Sequence, residues 1–588
     1  MHGSCAPAHE PCYPPPPENI LDAEAGGGIM AIVRRVVLAA ACLMVPALTW
    51  AQGAAGSGIA GAVRDTSGAV LPGVTVEAAS PALIEKVRVT VTNDRGLFEI
   101  AGLQPGIYSV TFSLGGFSKV TRTGIELTAG FTATVNADMV VGSIEETVTV
   151  SGEAPLVDTR SVVQQTALQA SVLDALPDTR KMSSFAAFLP AAKGSPDVGG
   201  LSGENGAQFG THGGRGNEIN VNQEGMNLTM LSSRAFSFDP GAVGEVVVED
   251  SGTSAESFSG GVRLNIVPRD GGNRFSGNFS SSYTNPSLQS ANLSDALIAR
   301  HLYETPSIKR NYAVSGGLGG PIVRDKLWFF TAHRRWIASA YVPGNFYNRL
   351  NGVRLGADPI YNVTLYEPDR SRPAFSTNRY RDHSLRLTWQ ATSKDKISVG
   401  FTGESTCTCP VSTSTAFAPE ATGNAVYDPN FVAVASWTRP VTNRLLVEGG
   451  SSLNEVILSY GRRPVGTLPN NISIVDTGLG ITYGARAGSV AGNFANLCCY
   501  GTMAINKQFN ERVAMSYITG SHAFKTGVTY QRLLVGNKTR ADVDMLQGAR
   551  QYTFSNGQPR SVRIFATPFG KASDSASIGI YAQDRWTI

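Results

Sequence analysis

The sequence predicts a mainly β, exported protein whose C-terminal part is an antiparallel transmembrane β-barrel. Three observations predict it. From about Arg274 to Ile588, short stretches alternate apolar and polar residues. Phe275, Gly277, Phe279, Ser281 and Tyr283 set aromatics on one face, and Leu385, Leu387 and Trp389 do the same with Arg386 and Thr388 between them. That is the two-residue period of a strand with one face in an apolar medium and one face wet. Next, an apolar run from Val36 to Val45, extended to Leu48, follows Arg34 and Arg35 and precedes the small residues of Thr49-Trp50-Ala51. Basic, apolar, small is the order of a signal peptide. Finally, no run of 18 or more apolar residues occurs, so a place in a membrane requires a sheet with no open edge.

Within that frame, Met30 reads as the start and residues 30–51 as the signal peptide. Residues 1–29, with Pro14 to Pro17 and Gly26 to Gly28, read as a mis-assigned upstream extension. A chain of 588 residues holds several domains. Its net charge of +3 makes no general case for a nucleic-acid partner. None of the seven histidines sits in H-E-x-x-H or another ligand spacing, no G-x-S-x-G elbow is present, and the glycine-rich segments lack a following Lys-Ser/Thr. No catalytic residue, metal site or cofactor is therefore assigned, and the protein is not expected to be an enzyme. Cys5, Cys12 and Cys42 fall in the segment expected to be absent or removed. Cys407 and Cys409, and Cys498 and Cys499, form two close pairs, with too few ligands for zinc and the wrong spacing for redox C-x-x-C. They read either as loop disulfides or as residues with no special role.

Residues 57–141 form a first unit. Ile59-Ala60-Gly61-Ala62-Val63, Asp65-Thr66-Ser67-Gly68 and Leu71-Pro72-Gly73-Val74-Thr75-Val76 alternate strand and turn signals. Turns at Asn93-Asp94-Arg95-Gly96 and Leu103-Gln104-Pro105-Gly106 follow, and Tyr108, Val110 and Phe112 alternate with Ile107, Ser109 and Thr111. This is the pattern of a small β-sandwich. The run G-A-V-x-D-x-x-G-x-x-L-P-G-V-x-V, then G-x-F-x-I-x-x-L-x-P-G-x-Y-x-V, resembles the carboxypeptidase regulatory-like domain, which implies a non-catalytic, transthyretin-like sandwich.

The second unit, 142–270, opens on Ser143 to Gly152. Leu176 to Pro190 reads as a short helix with loops, Gly213 to Asn220 leads into Glu224-Gly225, and Gly244 to Val248 is a strand. The segment Gly260-Gly261-Val262-Arg263-Leu264-Asn265-Ile266-Val267 closes the unit. This order resembles the α+β plug domain of TonB-dependent outer-membrane receptors of the Oar-like branch, with the sandwich in front. Where relatives tend to carry Asp-Gly, this chain has Gln223-Glu224-Gly225. The resemblance makes Glu146-Thr147-Val148-Thr149-Val150 a candidate TonB box. Such a box works by β-augmentation, so extended Thr/Val backbone matters more than exact sequence. Arg215, Asn217, Asn222 and Glu224 are candidate substrate contacts.

The third unit, 274–588, contains Gly316 to Phe330, which resembles the Oar-like hairpin with its periplasmic turn. Ser393-Lys394-Asp395-Lys396 and Thr519-Gly520-Ser521-His522 are further tight turns, while Asn285 to Arg310 and Val342 to Asp382 read as long loops. Trp328, Phe329, Phe330 and Trp336 read as an interfacial aromatic girdle. About eleven or twelve strands can be placed by alternation, whereas the resembled transporters have about 22. The alternation is still running at Tyr581 to Ile588, so the expectation is an incomplete barrel and a C-terminally truncated chain. The resemblance implies import of a scarce nutrient, an oligosaccharide or metal chelate. It implies as partners TonB with its inner-membrane energising complex, outer-membrane lipid and a small ligand, with sandwich and plug on the periplasmic side. The alternatives are an outer-membrane structural or adhesion protein that displays loops without transport, and a soluble secreted multidomain β-protein.

Overall fold

The computed structural model describes residues 57–586 apart from 82, 84–85, 129–130, 143–146, 152–163, 176–191, 194–209, 212–218, 231–237, 252–254, 258–260, 291–292, 303, 356–362, 412, 443, 463–467, 469–470, 487–501, 520–521, 540–549 and 565–569. The expected upstream extension, the signal peptide, the helix from Leu176, and Cys498 and Cys499 lie outside the described residues.

The N-terminal strands are β1 (Ser57–Asp65), β2 (Thr75–Ala79), β3 (Val87–Val91), β4 (Leu97–Leu103), β5 (Gly106–Ser113), β6 (Lys119–Leu127), β7 (Thr132–Thr134), β8 (Ala137–Met139) and β9 (Thr147–Ser151). They form two sheets, β4-β1-β7 with β8 also on β1, and β3-β2-β5-β6-β9. The alternation in β5 sends Tyr108, Val110 and Phe112 into the core and leaves Ile107 exposed. Ile59, Val76, Phe98 and Ile100 meet them from the neighbouring strands, and Phe98 and Phe112 pack edge to face at 5.5 Å. Each large side chain buried this way contributes roughly 1.5–3 kcal/mol. The Tyr108 hydroxyl donates to the Gln104 carbonyl at 2.6 Å, so the ring is buried without stranding its polar end. Gly61 in β1 is required for close approach, since a Cβ there would lie 1.9 Å from the Val135 carbonyl oxygen. Gly61→Ala is expected to cost about 1–3 kcal/mol, read as a lowered melting midpoint of the sandwich.

The middle strands are β10 (Gln164–Gln169), β11 (Ala192–Lys193), β12 (Gly210–Thr211), β13 (Asn220–Gln223), β14 (Met226–Asn227), β15 (Val243–Ser251) and β16 (Arg263–Pro268). Five of them make an inner sheet in the order β10-β15-β16-β13-β14. Its apolar core, with Val221, Leu228, Val246, Val248, Leu264 and Ile266, continues onto Val432 and Val434 of the large sheet behind it.

Among the described residues that large sheet has ten antiparallel strands. In order they are β17 (Ser276–Thr284), β18 (Ser307–Val323), β19 (Leu327–Asn348), β20 (Pro368–Gln390), β21 (Lys396–Val411), β22 (Gly423–Pro440), β23 (Leu445–Arg462), β26 (Thr502–Thr519), β27 (His522–Thr539) and β30 (Gly570–Trp586). The short strands β24 (Ser473–Asp476), β25 (Ile481–Tyr483), β28 (Arg550–Ser555) and β29 (Gln558–Ile564) form a separate four-stranded sheet on the long-loop side. The described residues place ten strands in the large sheet, against the eleven or twelve expected, and set the short alternating runs of β28 and β29 in the outlying sheet. Cys407 and Cys409 of β21 are joined by a disulfide.

Tight turns join the strands at one end, as at 324–326 and 391–395. Alternation sorts the faces. Leu385, Leu387 and Trp389 point outward and are 46%, 36% and 48% exposed, while Arg386 and Thr388 between them are buried against the inner sheet. Exposed apolar side chains in a continuous register belong to a lipid-facing surface.

Two expectations are corrected. Much of Val342 to Asp382 is strand rather than loop, with β19 and β20 running 22 and 23 residues. A bilayer needs only about 9–11, so both continue beyond it, where polar side chains signal water and not loss of pairing. The girdle is also split. Phe329 pairs with outward Leu387, but Phe330 pairs with Arg386, and both Phe330 and Trp336 are buried on the inner face. Consecutive residues of a strand cannot share a face. Trp328 donates from its indole N–H to Asn273 at 2.8 Å.

Candidate functional site

The seam between inner sheet and barrel wall is where polar chemistry concentrates. Sheet and turn backbone of the inner sheet would otherwise be buried without partners, and wall side chains supply them. Asn510 donates to the Asn227 carbonyl at 2.7 Å, Asn454 to Leu228 at 3.2 Å and Gln508 to Thr229 at 3.2 Å. Asn278 donates to the Gly241 carbonyl at 2.9 Å, and the Ser315 hydroxyl donates to Asp239 at 2.8 Å.

Two ionic clusters fasten the seam more strongly. In the first, Arg386 of β20 lies between two carboxylates of the inner domain. Its Nη2 donates to Glu224 at 2.5 Å and its Nε to Asp270 at 2.5 Å. Thr388 donates to Asp270 at 2.8 Å, and Lys396 stands 3.7 Å away. Burial pushes the Asp270 carboxyl up, but the Arg386 and Lys396 cations outweigh it and hold it well below the usual carboxylate range. Glu224 sits in the β13–β14 turn at a positive φ of 51°, followed by Gly225 at 78°. That turn aims its side chain at the wall.

In the second cluster, Glu256 meets Arg512 of β26 and Lys525 of β27, each at 2.6 Å, with Gln583 of β30 at 3.5 Å. Burial raises the Glu256 carboxyl, but Lys525 and Arg512 more than offset it and hold it at about 2, against an ordinary value of 4.5. A depressed folded value contributes stability that is complete above the unfolded value and disappears as pH falls toward the folded one. Acidification from about pH 4.5 to about pH 2 should therefore remove roughly 3 kcal/mol. Glu256→Gln should remove that step from the pH dependence of the denaturant midpoint.

The sequence-derived site residues fall in different places. Asn222, in β13, is buried opposite Asn265 and Asn227. It lines a cavity of about 50 Å³ together with Glu256, Arg263 and Arg512. Glu224 belongs to the Arg386 cluster, where it accepts from the guanidinium. Arg215 and Asn217 lie outside the described residues. Of the candidate TonB box, Thr147 to Val150 begin β9, which pairs in parallel with β6 from Lys119↔Thr147 to Thr123↔Ser151. Glu146 lies outside the described residues. Sequence reading did not single out Asp270, Glu256, Arg512 or Lys525. The available signal was a lone cation at an inward position of an otherwise small or polar strand face, as at Arg512 and Lys525.

Comparison with known proteins fits this geometry. Residues 58–140 match the carboxypeptidase regulatory-like domain, and residues 362–588 match an outer membrane β-barrel domain. The chain is 25% identical over 355 residues to the TonB-dependent transporter Oar of Myxococcus xanthus, covering 57% of this chain and 32% of that protein. It thus spans about a third of that relative's length. Among solved structures it is similar to the outer membrane transporter YddB from Escherichia coli, with a TM-score of 0.49 and 11% identity over 72% of this chain and 54% of the other. The ferric citrate transporter FecA gives 0.41 and 10% over 73% and 61%. The resemblance is to transporters rather than enzymes, and the barrel domain places the protein in the outer membrane of a Gram-negative-type cell. The chain carries a match to the carboxypeptidase regulatory-like domain ahead of a match to an outer membrane β-barrel domain, and is similar to the TonB-dependent transporter Oar.

Proposed function

We propose that this chain works in import across the outer membrane, taking up a scarce nutrient such as an oligosaccharide or metal chelate with energy delivered through TonB. In this reading residues 142–270 are the plug, the sandwich of 57–141 lies with it on the periplasmic side, and 274–588 supply barrel wall. The observation that carries the reading is the pair of ionic clusters, Glu224/Asp270 on Arg386 and Glu256 on Arg512/Lys525. They fasten a separate inner sheet to the wall through contacts that can be broken and remade without unfolding either sheet. A purely structural filling would be served as well by apolar packing, which needs no desolvated charges.

Force enters, on this account, through Glu146 to Val150. β9 is an edge strand of the sandwich, and an extended edge is what an added partner strand needs. Asn222 with the cavity it lines, and Glu224, are the parts of the proposed ligand route within the described residues, with Arg215 and Asn217 completing the candidate set. The test is capture of the periplasmic domain of TonB by the chain in detergent. Deleting Glu146 to Val150 should abolish capture while leaving the barrel's strand content unchanged. Equal capture by the deleted chain would refute the assignment.

A further inference from the structure

The outer face of β18–β20 changes character partway along its length. From the tight-turn end, β20 presents Trp389, Leu387 and Leu385, and then His383, Arg381 and Arg379. β19 presents Phe329 and Thr331, and then His333 and Arg335, while β18 runs from Leu318 to Tyr312 and Arg310. Arg310, Arg335, Arg379 and Arg381 are all exposed. With Tyr312 and Ile337 they surround an open cavity of about 290 Å³.

Three features set this cluster apart from ordinary surface charge. Arg335 and Arg381 are directly opposite in the register, an arrangement of like charges that destabilises a sheet. Among the described residues, no carboxylate comes within ion-pair distance of any of the four. Asp428 lines an adjoining cavity together with Arg379 and Arg381 without forming an ion pair to either, and it accepts from Ser405 at 3.5 Å. By contrast, Arg532 on β27 is neutralised by Asp574 at 2.7 Å. The wall thus pairs an outward arginine elsewhere, and here gathers four that form no ion pair among the described residues.

Height identifies what would supply that charge. Trp389 to Arg381 is eight residues, about 26 Å along a strand. At a tilt of about 40° this is roughly 20 Å of height, close to the upper edge of an apolar band about 25 Å tall. We propose that the outer face of β18–β20 carries a binding site for the phosphate groups of an outer-leaflet glycolipid. Arginine forks match phosphate oxygens in paired, charge-assisted hydrogen bonds. The exposed apolar surface immediately below, at Leu385, Leu387 and Leu318, receives the acyl chains, which a free phosphate lacks. The bound anion also removes the Arg335–Arg381 repulsion. This inference depends on the outer-membrane location and not on transport.

The test uses the full chain folded in detergent micelles, titrated with bis-phosphorylated lipid A, the same lipid with its phosphates removed, and inorganic phosphate. The double variant Arg335→Gln/Arg381→Gln should bind the phosphorylated lipid about tenfold more weakly or worse, with a melting midpoint no lower than the parent's. The dephosphorylated lipid should bind the parent no better than the phosphorylated lipid binds the variant. Arg532→Gln should bind as the parent does. Equal binding by the double variant or by the dephosphorylated lipid overturns the proposal, as does displacement by inorganic phosphate at matched concentration.

Discussion

Arg386→Ala is expected to loosen the inner sheet from the barrel wall at a cost of about 3–5 kcal/mol. The guanidinium is the shared partner of two carboxylates, Glu224 and Asp270. Removing it strands Glu224, whose side chain is 12% exposed, and leaves the half-exposed Asp270 with only Thr388 and Lys396. The loss is larger than that of any single neutral hydrogen bond across the seam, each about 1 kcal/mol. The measurement is the denaturant midpoint together with the protease sensitivity of residues 219–230 in the folded barrel. A second variant separates a lost fastening from general damage. Replacing all three charges together, Arg386→Met with Glu224→Gln and Asp270→Asn, should restore most of the lost stability, since a buried ion cluster replaced as a whole is often near neutral. If the triple variant is as unstable as Arg386→Ala, the cluster is not the fastening described above.

The parts of this molecule visible in its sequence are those whose signal is local. Tyr108, Val110 and Phe112 alternate with exposed partners, and the structure buries them as the alternation requires. Leu385, Leu387 and Trp389 announce a lipid face, and Arg386 and Thr388 an inner one, because period two leaves no other arrangement. What stayed hidden is pairing at a distance. Arg386 meets Glu224 across 162 positions, and Lys525 meets Glu256 across 269. No spacing rule reaches that far. Glu256 looks like any surface acid until the fold sets two cations beside it. The aromatic run Trp328-Phe329-Phe330 misled for a related reason: composition suggested a girdle, while strand parity sends Phe330 inward. The four outward arginines of β18–β20, which form no ion pair among the described residues, were likewise scattered through three segments and became a cluster only once register aligned them.

The candidate TonB box admits a test that uses the geometry of its strand. β9 lies at the end of the order β3-β2-β5-β6-β9, so one of its edges faces β6 and the other has no strand partner among the described residues. Successive residues of a strand direct their backbone N–H groups to opposite edges. Thr147 and Thr149 therefore share one edge, and Val148 and Val150 the other. Proline removes the N–H, so Thr147→Pro/Thr149→Pro and Val148→Pro/Val150→Pro disarm one edge each. If TonB adds its strand to the open edge, one double variant should lose two intermolecular hydrogen bonds at about 1 kcal/mol each and weaken capture about thirtyfold. The other breaks only the ladder to β6, frees the segment from the sandwich, and should capture at least as well as the parent. Equal loss in both would mean that TonB strips the segment from β6 before pairing. No loss in either would remove Glu146 to Val150 from the mechanism, because β-augmentation cannot survive the absence of its backbone donors.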